Sequence, residues 1–422
     1  MTAQYVVSQE VRPHSRIPAL DTLRAAAILW VILRHMVGAG YLSGIAGPIA
    51  NRLFRRGDAG VDLFFVLSGY LIATIMLAEL GGTGKLDLRR FWYRRWMRTL
   101  PAYYVTLGVI ALGDIFYTSP VPWHRPWSYL VFLQTSVVDF GRMRFGWSWS
   151  LCVEELFYLC MPLFVSGLVW KRFLRPVAAL RIIALVALAT SVLGRIDLDE
   201  GVSIADHSPG YAVPYCRLDG IALGILVATL PPLRSILTST ALGVSGVALL
   251  GAYIGLDHPP WFDTHRFLPL SIIFGLLLFA SVSNGPWRRI EVPGAAGVAA
   301  VSYSLYLVHP IFANMMIRFT PETNGMIRAG LFLGATAAAA CALRLRSSGR
   351  FCESAIDPAT TPRARMLPRR ERSILRWRDR VPGAAVTAVR RRSSREAAGH
   401  RHFESVHEHA GWGAGDLRRC CT

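Results

Sequence analysis

Long apolar stretches separated by short polar or basic segments occupy most of the first 345 residues. The first stretch, 17–38, is long enough and apolar enough to cross a bilayer as a helix. Similar stretches predict further crossings at 60–77, 101–116, 150–169, 179–194, 211–230, 239–255, 267–283, 301–317 and 327–345. The pattern therefore predicts an all-α protein, a polytopic membrane helix bundle of about ten transmembrane helices that encloses a polar cavity.

Two polar side chains interrupt the first predicted crossing. Arg24 and His35 lie eleven residues apart. That spacing is about three helical turns, so both side chains share one helical face, about 16 Å apart along the axis. A cation and an imidazole on one stripe are costly in lipid and indicate a functional polar site inside the bundle. Each has a structural alternative: Arg24 can extend to the cytoplasmic interface, and His35 can be a hydrogen-bonded histidine of the bundle.

The composition agrees with a membrane protein. Charged residues make up 17% of the 422 residues, whereas soluble domains have about a quarter. The net charge of +19 lies in short loops and one tail, so we expect no nucleic-acid partner. The seven cysteines show neither a CxxC pair nor histidines at zinc spacing, so we expect no metal site and no disulfide framework. We also expect no cleavable signal peptide, because the first apolar run is long and lacks a cleavage pattern.

The charges of the loops predict the orientation of the bundle. With the N-terminus in the cytoplasm, the inside loops carry the basic segments 85–98, 171–181 and 288–289, and an outside loop carries the acidic segment 197–206. This distribution obeys the positive-inside rule and predicts cytoplasmic N- and C-termini. One loop opposes the rule, because its three arginines would lie outside: Arg52, Arg55 and Arg56.

The same pattern divides the chain into three parts. Residues 1–16 are expected to form a short cytoplasmic arm, and residues 17–345 the transmembrane domain. From residue 346 onward the sequence has many arginines and no apolar span or helical stripe. We therefore expect 346–422 to be a basic tail that is disordered or loosely bound to a surface.

Polar residues at two further crossings are candidates for binding and catalysis. Arg95 and Arg98 are three residues apart and share a helical face on the expected cytoplasmic side. Guanidinium groups at this spacing suit a phosphate-bearing ligand, although a plain topology anchor has the same appearance. Glu154 lies just inside the fourth crossing, at the end expected to adjoin the end of the first. It is therefore placed to orient His35 as a general base, unless it only caps the helix at the interface.

Two later segments carry polar residues as well. Arg217 and Asp219 lie near the outer end of the sixth crossing, where we expect each to compensate the charge of the other. Tyr303, Tyr306 and His309 recur every third residue and form a polar stripe within the ninth crossing. His309 either supports a site or packs inside the bundle.

Six sequence blocks, in this order, resemble the membrane acyltransferase-3 family of bacterial O-acyltransferases. The blocks are LDTLRAAAILWVILRH, GVDLFFVLSGYLI, FWYRRWMRTLPAYY, WSLCVEELFYLCMPL, RLDGIALG and SYSLYLVHP, and the resemblance covers about residues 17–355. It implies a multi-pass enzyme of the bacterial inner membrane that moves an acyl group, expected to be acetyl, from acyl-CoA to a carbohydrate hydroxyl. Acyl-CoA is a co-substrate, and no bound cofactor is implied. The expected acceptor is an envelope or exported glycan, with a macrolide-type glycosylated metabolite as the alternative.

The resemblance also assigns roles to individual residues. Arg24 and His35 match the Arg-x10-His motif of the family, in which the histidine is essential, and Arg95 with Arg98 matches the Arg-x-x-Arg motif associated with acyl-CoA. Glu154 matches an acidic position of the family, so the expected catalytic residues are His35, Arg24 and Glu154. The expected substrate-binding residues are Arg217, Asp219, Tyr303 and His309. We expect the short, single-module form of the family, without an appended esterase domain.

A transporter or flippase is the competing function. Its intramembrane arginine and histidine would line a substrate path or a proton relay. Such proteins commonly contain internal repeats, with broken helices at corresponding positions. The sequence does not show these repeats convincingly, and a transporter has no need of an Arg-x-x-Arg phosphate site. Acyl-CoA binding would favour the enzyme.

Overall fold

The computed structural model describes residues 16–42, 47–115, 123–138, 142–170, 173–198, 210–258, 262, 265–319 and 325–348. Its regular elements in these ranges are all helical, as predicted. The α-helices are α1 (Pro18–Gly38), α2 (Pro48–Arg55), α3 (Ala59–Thr83), α4 (Leu88–Ile115), α5 (Trp127–Leu130), α6 (Gln134–Val137), α7 (Trp149–Val169), α8 (Pro176–Leu198), α9 (Asp219–Ala228), α10 (Ile236–Gly255), α11 (Phe267–Val282), α12 (Ala295–Phe319) and α13 (Gly325–Ser348). Short 3-10 turns cover Gly146–Ser148, Pro214–Arg217 and Pro286–Arg289. The predicted arm and tail lie outside the described residues, except for residue 16 and residues 346–348.

Several described helices have the length and apolarity of membrane crossings. Five qualify on both criteria, and they correspond to α3, α7 with its preceding 3-10 turn, α8, α10 and α12. Helix α1 is interrupted by Asp21, Arg24 and Arg34, and α4 begins with several arginine-rich turns. Both are therefore less apolar than the other long helices. The total of about ten crossings stays a prediction.

The predicted start of the third crossing is wrong. The apolar pattern predicts a crossing that starts at residue 101, but α4 begins at Leu88 and contains Pro101 in its interior. Thr99, two residues before the proline, donates a hydrogen bond to the carbonyl oxygen of Arg95 at 3.2 Å. The apolar pattern marks only the part of a helix that lies in an apolar environment. It cannot show that α4 continues through its polar, arginine-rich end.

The sixth predicted crossing, 211–230, is also wrong as one continuous helix. The chain forms a 3-10 turn at Pro214–Arg217, and only the ten residues of α9 are α-helical. Two fully buried ion pairs fix this break: Arg217 binds Asp62 of α3, and Asp219 binds Arg195 of α8. The run of apolar residues in the sequence does not reveal this break, because the ion pairs that cause it involve residues of other helices.

Close packing at glycines holds α9 against α3. A side chain at Gly69 would overlap the backbone of Ile221, and a side chain at Gly224 would overlap the backbone of Val66. Small residues at such a crossing allow two helix backbones to approach closely, which is a common way of packing membrane helices. Helix α3 also packs against α1.

Helix α1 is held at its C-terminal end by α12. The hydroxyl of the buried Tyr41 donates a hydrogen bond of 2.6 Å to the carbonyl oxygen of Ala313. The indole of Trp30 donates to the carbonyl oxygen of Leu53 at 2.8 Å and so ties α2 to α1. These contacts bring α1, α2 and α12 together at one end of the bundle, where the candidate site lies.

Candidate functional site

Two histidines from distant parts of the chain meet at this end of the bundle. His35 is near the end of α1, and His309 is in the middle of α12 and fully buried. The Nε2 atom of His309 lies 3.3 Å from the Nδ1 atom of His35. The two rings stand edge to face, with centroids 4.7 Å apart. The structure thus joins the residue predicted to be catalytic to the histidine whose role the sequence left open.

Backbone carbonyls fix the hydrogen positions on both rings. Nδ1 of His309 lies 3.0 Å from the carbonyl oxygen of Leu305, and Nδ1 of His35 lies 2.9 Å from that of Val31. Because a carbonyl oxygen only accepts, both Nδ1 atoms carry the hydrogen in these contacts. Nε2 of His309 is then an acceptor facing His35, and Nε2 of a neutral His35 carries a lone pair. His35 is therefore set up to accept a proton at Nε2 and to donate from Nδ1.

Both histidines line a partly open cleft of about 680 Å³. Aromatic side chains from four segments form its other walls: Trp147, Trp149, Tyr211 and Tyr306. Tyr306 is fixed by hydrogen bonds to Ser150 Oγ at 2.7 Å and to the carbonyl oxygen of Trp147 at 2.8 Å. We call this space the histidine cleft. Its volume is typical of a site for a small molecule or for part of a larger ligand.

Arginines dominate the charge of the histidine cleft. The charged lining residues are Arg34, Arg52, Arg55, Arg56 and Arg266, with Asp58 and Asp257. Arg266 donates a 2.6 Å hydrogen bond to Asp58, and Arg52 lies 3.5 Å from Asp257. The other three arginines form no ion pair within the described residues. The cleft is therefore positively charged around its two histidines.

Glu154 does not contact His35, so the predicted pairing of these two residues is wrong. Its Oε1 atom accepts a 2.7 Å hydrogen bond from Ser68, and its Oε2 atom lies 3.6 Å from Nη2 of Arg95. Trp149 at the start of α7 and His35 near the end of α1 both line the histidine cleft. Glu154, however, lies five residues beyond Trp149, which places it about 7.5 Å further along the α7 axis. The position that the sequence assigned to Glu154 is taken by His309.

Arg95 and Arg24 belong to a second polar group, whose residues do not line the histidine cleft. The guanidinium of Arg95 lies over the ring of Tyr158, 3.9 Å from its centroid. Arg24 lies within electrostatic reach of Arg95, Tyr158 and Glu154. The sequence indicated neither Ser68 nor Tyr158 as members of this group, because an isolated hydroxyl in an apolar span carries no signal of its own.

The two arginines of the Arg-x-x-Arg pair have different surroundings. Arg95 is half-buried and Arg98 is exposed. Tyr303, which the sequence assigned to the substrate, donates a 3.1 Å hydrogen bond to the carbonyl oxygen of Thr99, between these arginines and Pro101. Tyr303 thus ties α12 to α4 close to Arg95 of the second polar group.

Arg217 and Asp219 do not pair with each other, so that prediction is wrong. Nη2 of Arg217 donates to Asp62 at 2.8 Å, and Arg195 donates to both oxygens of Asp219 at 2.6 and 2.8 Å. Residues two apart diverge at the junction of a 3-10 turn and a helix, and each side chain turns to a different neighbouring helix. Asp62 carried a usable signal, since it is an ionisable residue within the predicted apolar span 60–77, whereas Arg195 lies just beyond the predicted span 179–194 and gave none.

Most of the chain is similar to a known family of proteins. The family model described as "Acyltransferase domain", of the acyltransferase-3 type, matches residues 17–345. O-acetyltransferase OatA of Staphylococcus aureus strain NCTC 8325 / PS 47 is 29% identical over 327 residues, covering 69% of this chain and 50% of the relative. A putative O-acetyltransferase of S. aureus strain COL is 29% identical over 329 residues, with the same coverage.

The chain spans about half the length of the curated relatives that it matches. No solved structure matches it. The family match covers most of the chain and includes α1, with Arg24 and His35, as well as α12, with His309. The chain belongs to the acyltransferase-3 family of O-acyltransferases.

Proposed function

We propose that this chain transfers an acyl group, expected to be acetyl, from acyl-CoA to a carbohydrate hydroxyl, with His35 as the general base. The observation that carries the proposal is the His35–His309 contact in the histidine cleft. The relatives named O-acetyltransferase support the acyl group and the oxygen acceptor. An envelope or exported glycan is the proposed acceptor, and a macrolide-type glycosylated metabolite is the alternative.

In the proposed reaction, Nε2 of His35 takes the proton of the acceptor hydroxyl as its oxygen attacks the thioester carbonyl carbon. The carbon–sulfur bond then breaks, and the CoA sulfur leaves with the proton that the imidazolium returns. While His35 is protonated, its Nδ1–H is shared between the carbonyl oxygen of Val31 and Nε2 of neutral His309. This charge-assisted hydrogen bond stabilises the imidazolium, so His309 acts as a positioning residue.

Arg24 has a different part in the proposed reaction. It lies about 16 Å from His35 along the axis of α1, whereas a group that stabilises the oxyanion must approach it to about 3 Å. We therefore assign Arg24 to the extended pantetheine arm of the donor rather than to the oxyanion. Glu154 holds Arg95 in place, and Arg95 with Arg98 binds the phosphates of CoA.

The loop charges support a bacterial inner-membrane location with the donor end in the cytoplasm. The arginine-rich start of α4 and the Arg24 end of α1 lie on that side, and the histidine cleft lies at the opposite end of α1. The thioester would enter from the Arg95 side and meet the acceptor at His35.

The test is acetyl transfer in membranes that contain the full chain. Radiolabelled acetyl-CoA is supplied, and ester-linked label is measured in the glycan fraction after mild alkaline release. His35→Ala is expected to abolish transfer, while His124→Ala, in a loop outside the cleft, is expected to retain it. Transfer by His35→Ala at the wild-type rate would exclude its role as the base. Unchanged acetyl-CoA binding by an Arg95→Gln/Arg98→Gln double variant would exclude the assigned donor site.

A further inference from the structure

Three arginines of the histidine cleft have no role in the reaction proposed above. Arg34 comes from α1, Arg55 from the last turn of α2, and Arg56 follows directly. Arg34 and Arg56 are half-buried, and Arg55 is exposed. A guanidinium that is partly removed from water without a carboxylate is costly, unless a ligand supplies the negative charge.

Neighbouring charges of the cleft are already neutralised. Arg266 pairs with Asp58, and Arg52 pairs with Asp257 and donates to the carbonyl oxygen of Gly255. Arg56 lies 5.3 Å from the centroid of the Tyr253 ring, a contact that leaves its charge uncompensated. Among the described residues that line the cleft, both acidic side chains are thus engaged by other arginines. The excess positive charge belongs to Arg34, Arg55 and Arg56.

The loop charges give a second, independent indication. The loop that carries Arg52, Arg55 and Arg56 is the one that opposes the positive-inside rule, so topology does not explain its arginines. The structure folds this loop into α2 and fastens it to α1 through the Trp30–Leu53 hydrogen bond. Its basic residues are therefore held beside His35 instead of extending freely into solvent.

We propose that the carbohydrate acceptor is anionic, and that a carboxylate or phosphate of the sugar binds Arg34, Arg55 and Arg56 while its hydroxyl faces His35. This inference rests on the function proposed above. Guanidinium groups bind carboxylates and phosphates through paired hydrogen bonds, and two or three of them fix the orientation of an acidic sugar. The rings of Trp147 and Tyr306 supply apolar faces for the sugar on the other side of the cleft.

The same charge could hold the phosphates of CoA, so the experiment includes both kinds of anion. The full-length chain, purified in detergent, is titrated with a short oligogalacturonate, a phosphorylated maltooligosaccharide, the neutral maltooligosaccharide of equal length, and CoA. We expect an acidic oligosaccharide to bind and the neutral one to bind at least about tenfold more weakly, as the loss of a charged hydrogen bond predicts. Added salt should weaken the binding of the acidic oligosaccharide but not that of the neutral one.

Variants assign the binding to the cleft. Arg34→Gln and Arg55→Glu are expected to lower affinity for the acidic oligosaccharide at least about tenfold, and Arg55 is exposed, so its replacement leaves the fold intact. Arg89→Gln is the control, because this exposed arginine at the start of α4 lies outside the cleft. It should bind like the wild type.

Several results would overturn the proposal: equal binding of neutral and acidic oligosaccharides, no binding of either acidic one, or wild-type affinity in both cleft variants. Loss of CoA affinity alone in these variants would assign the arginines to the donor and would also overturn it. His35→Ala is expected to keep the acidic-oligosaccharide affinity. A His35→Ala protein that still transfers acetyl groups would refute the proposed function without affecting this binding result.

Discussion

The buried Arg195–Asp219 pair offers a sharp test of what holds the middle of the bundle together. Both side chains are 2% exposed, and the guanidinium donates to both carboxylate oxygens. Asp219→Asn keeps the size of the side chain but removes its charge, and so leaves the arginine cation buried without a counter-charge. Breaking a buried pair in this way costs about 3–5 kcal/mol.

This cost translates into a measurable change in melting temperature. The family domain covers residues 17–345. With about 2.1 cal/mol/K of unfolding entropy per residue over roughly 330 residues, a loss of 3–5 kcal/mol lowers Tm by about 4–7 °C. Thermal unfolding in detergent, followed by the fluorescence of the 12 tryptophans, measures this shift.

The matched control is Asp257→Asn. It makes the same chemical change in the Arg52–Asp257 pair, whose carboxylate is 93% exposed. Exposed pairs contribute about 0–1 kcal/mol, so its Tm should stay within about 1.5 °C of the wild type. A double variant, Arg195→Met with Asp219→Leu, removes both charges and should recover only part of the loss, because the carbonyl oxygen of Cys216 then lacks the donor that Arg195 supplies. Equal melting temperatures for Asp219→Asn and Asp257→Asn would refute the reasoning.

Two further predictions concern packing and the histidine pair. Gly224→Ala forces α9 away from α3 and should destabilise the protein by about 1–3 kcal/mol or more, whereas Gly251→Ala meets open space and should be neutral or slightly stabilising. Equal stability of the two variants would contradict the close approach. His309→Leu removes the acceptor for the His35 imidazolium and should slow transfer by about 10- to 150-fold, without loss of acetyl-CoA binding. His309→Gln, which keeps an acceptor, should be slowed less, and equal losses in the two variants would argue against the hydrogen bond.

Local patterns in the sequence predicted the helices well where apolarity and length decide the outcome. The ends of α1, α7 and α10 lie within a few residues of the predicted ones. The pattern failed at α4, which continues into a polar segment, and at α9, which tertiary ion pairs interrupt.

The site was only partly predictable for a related reason. The shared face of Arg24 and His35 follows from helical geometry alone. The partner of His35 does not, because His309 lies 274 residues away and the choice between it and Glu154 depends on how each helix is rotated about its axis. Arg217 and Asp219 illustrate the opposite error, in which proximity along the chain suggests a pairing that the fold does not make.

The shortness of α9 has a consequence for how the chain crosses the membrane. Ten residues rise about 15 Å, half the thickness of a hydrocarbon core. The residues of the 3-10 turn before α9, and Leu218 between them, therefore need hydrogen-bond partners that lipid cannot provide. Arg195 supplies one to the carbonyl oxygen of Cys216, and Ser191 accepts the N–H of Leu218. Helix α8 thus supplies, through Arg195 and Ser191, hydrogen bonds that water provides to peptide groups outside a membrane. Its polar residues allow the helix to be broken inside the bundle.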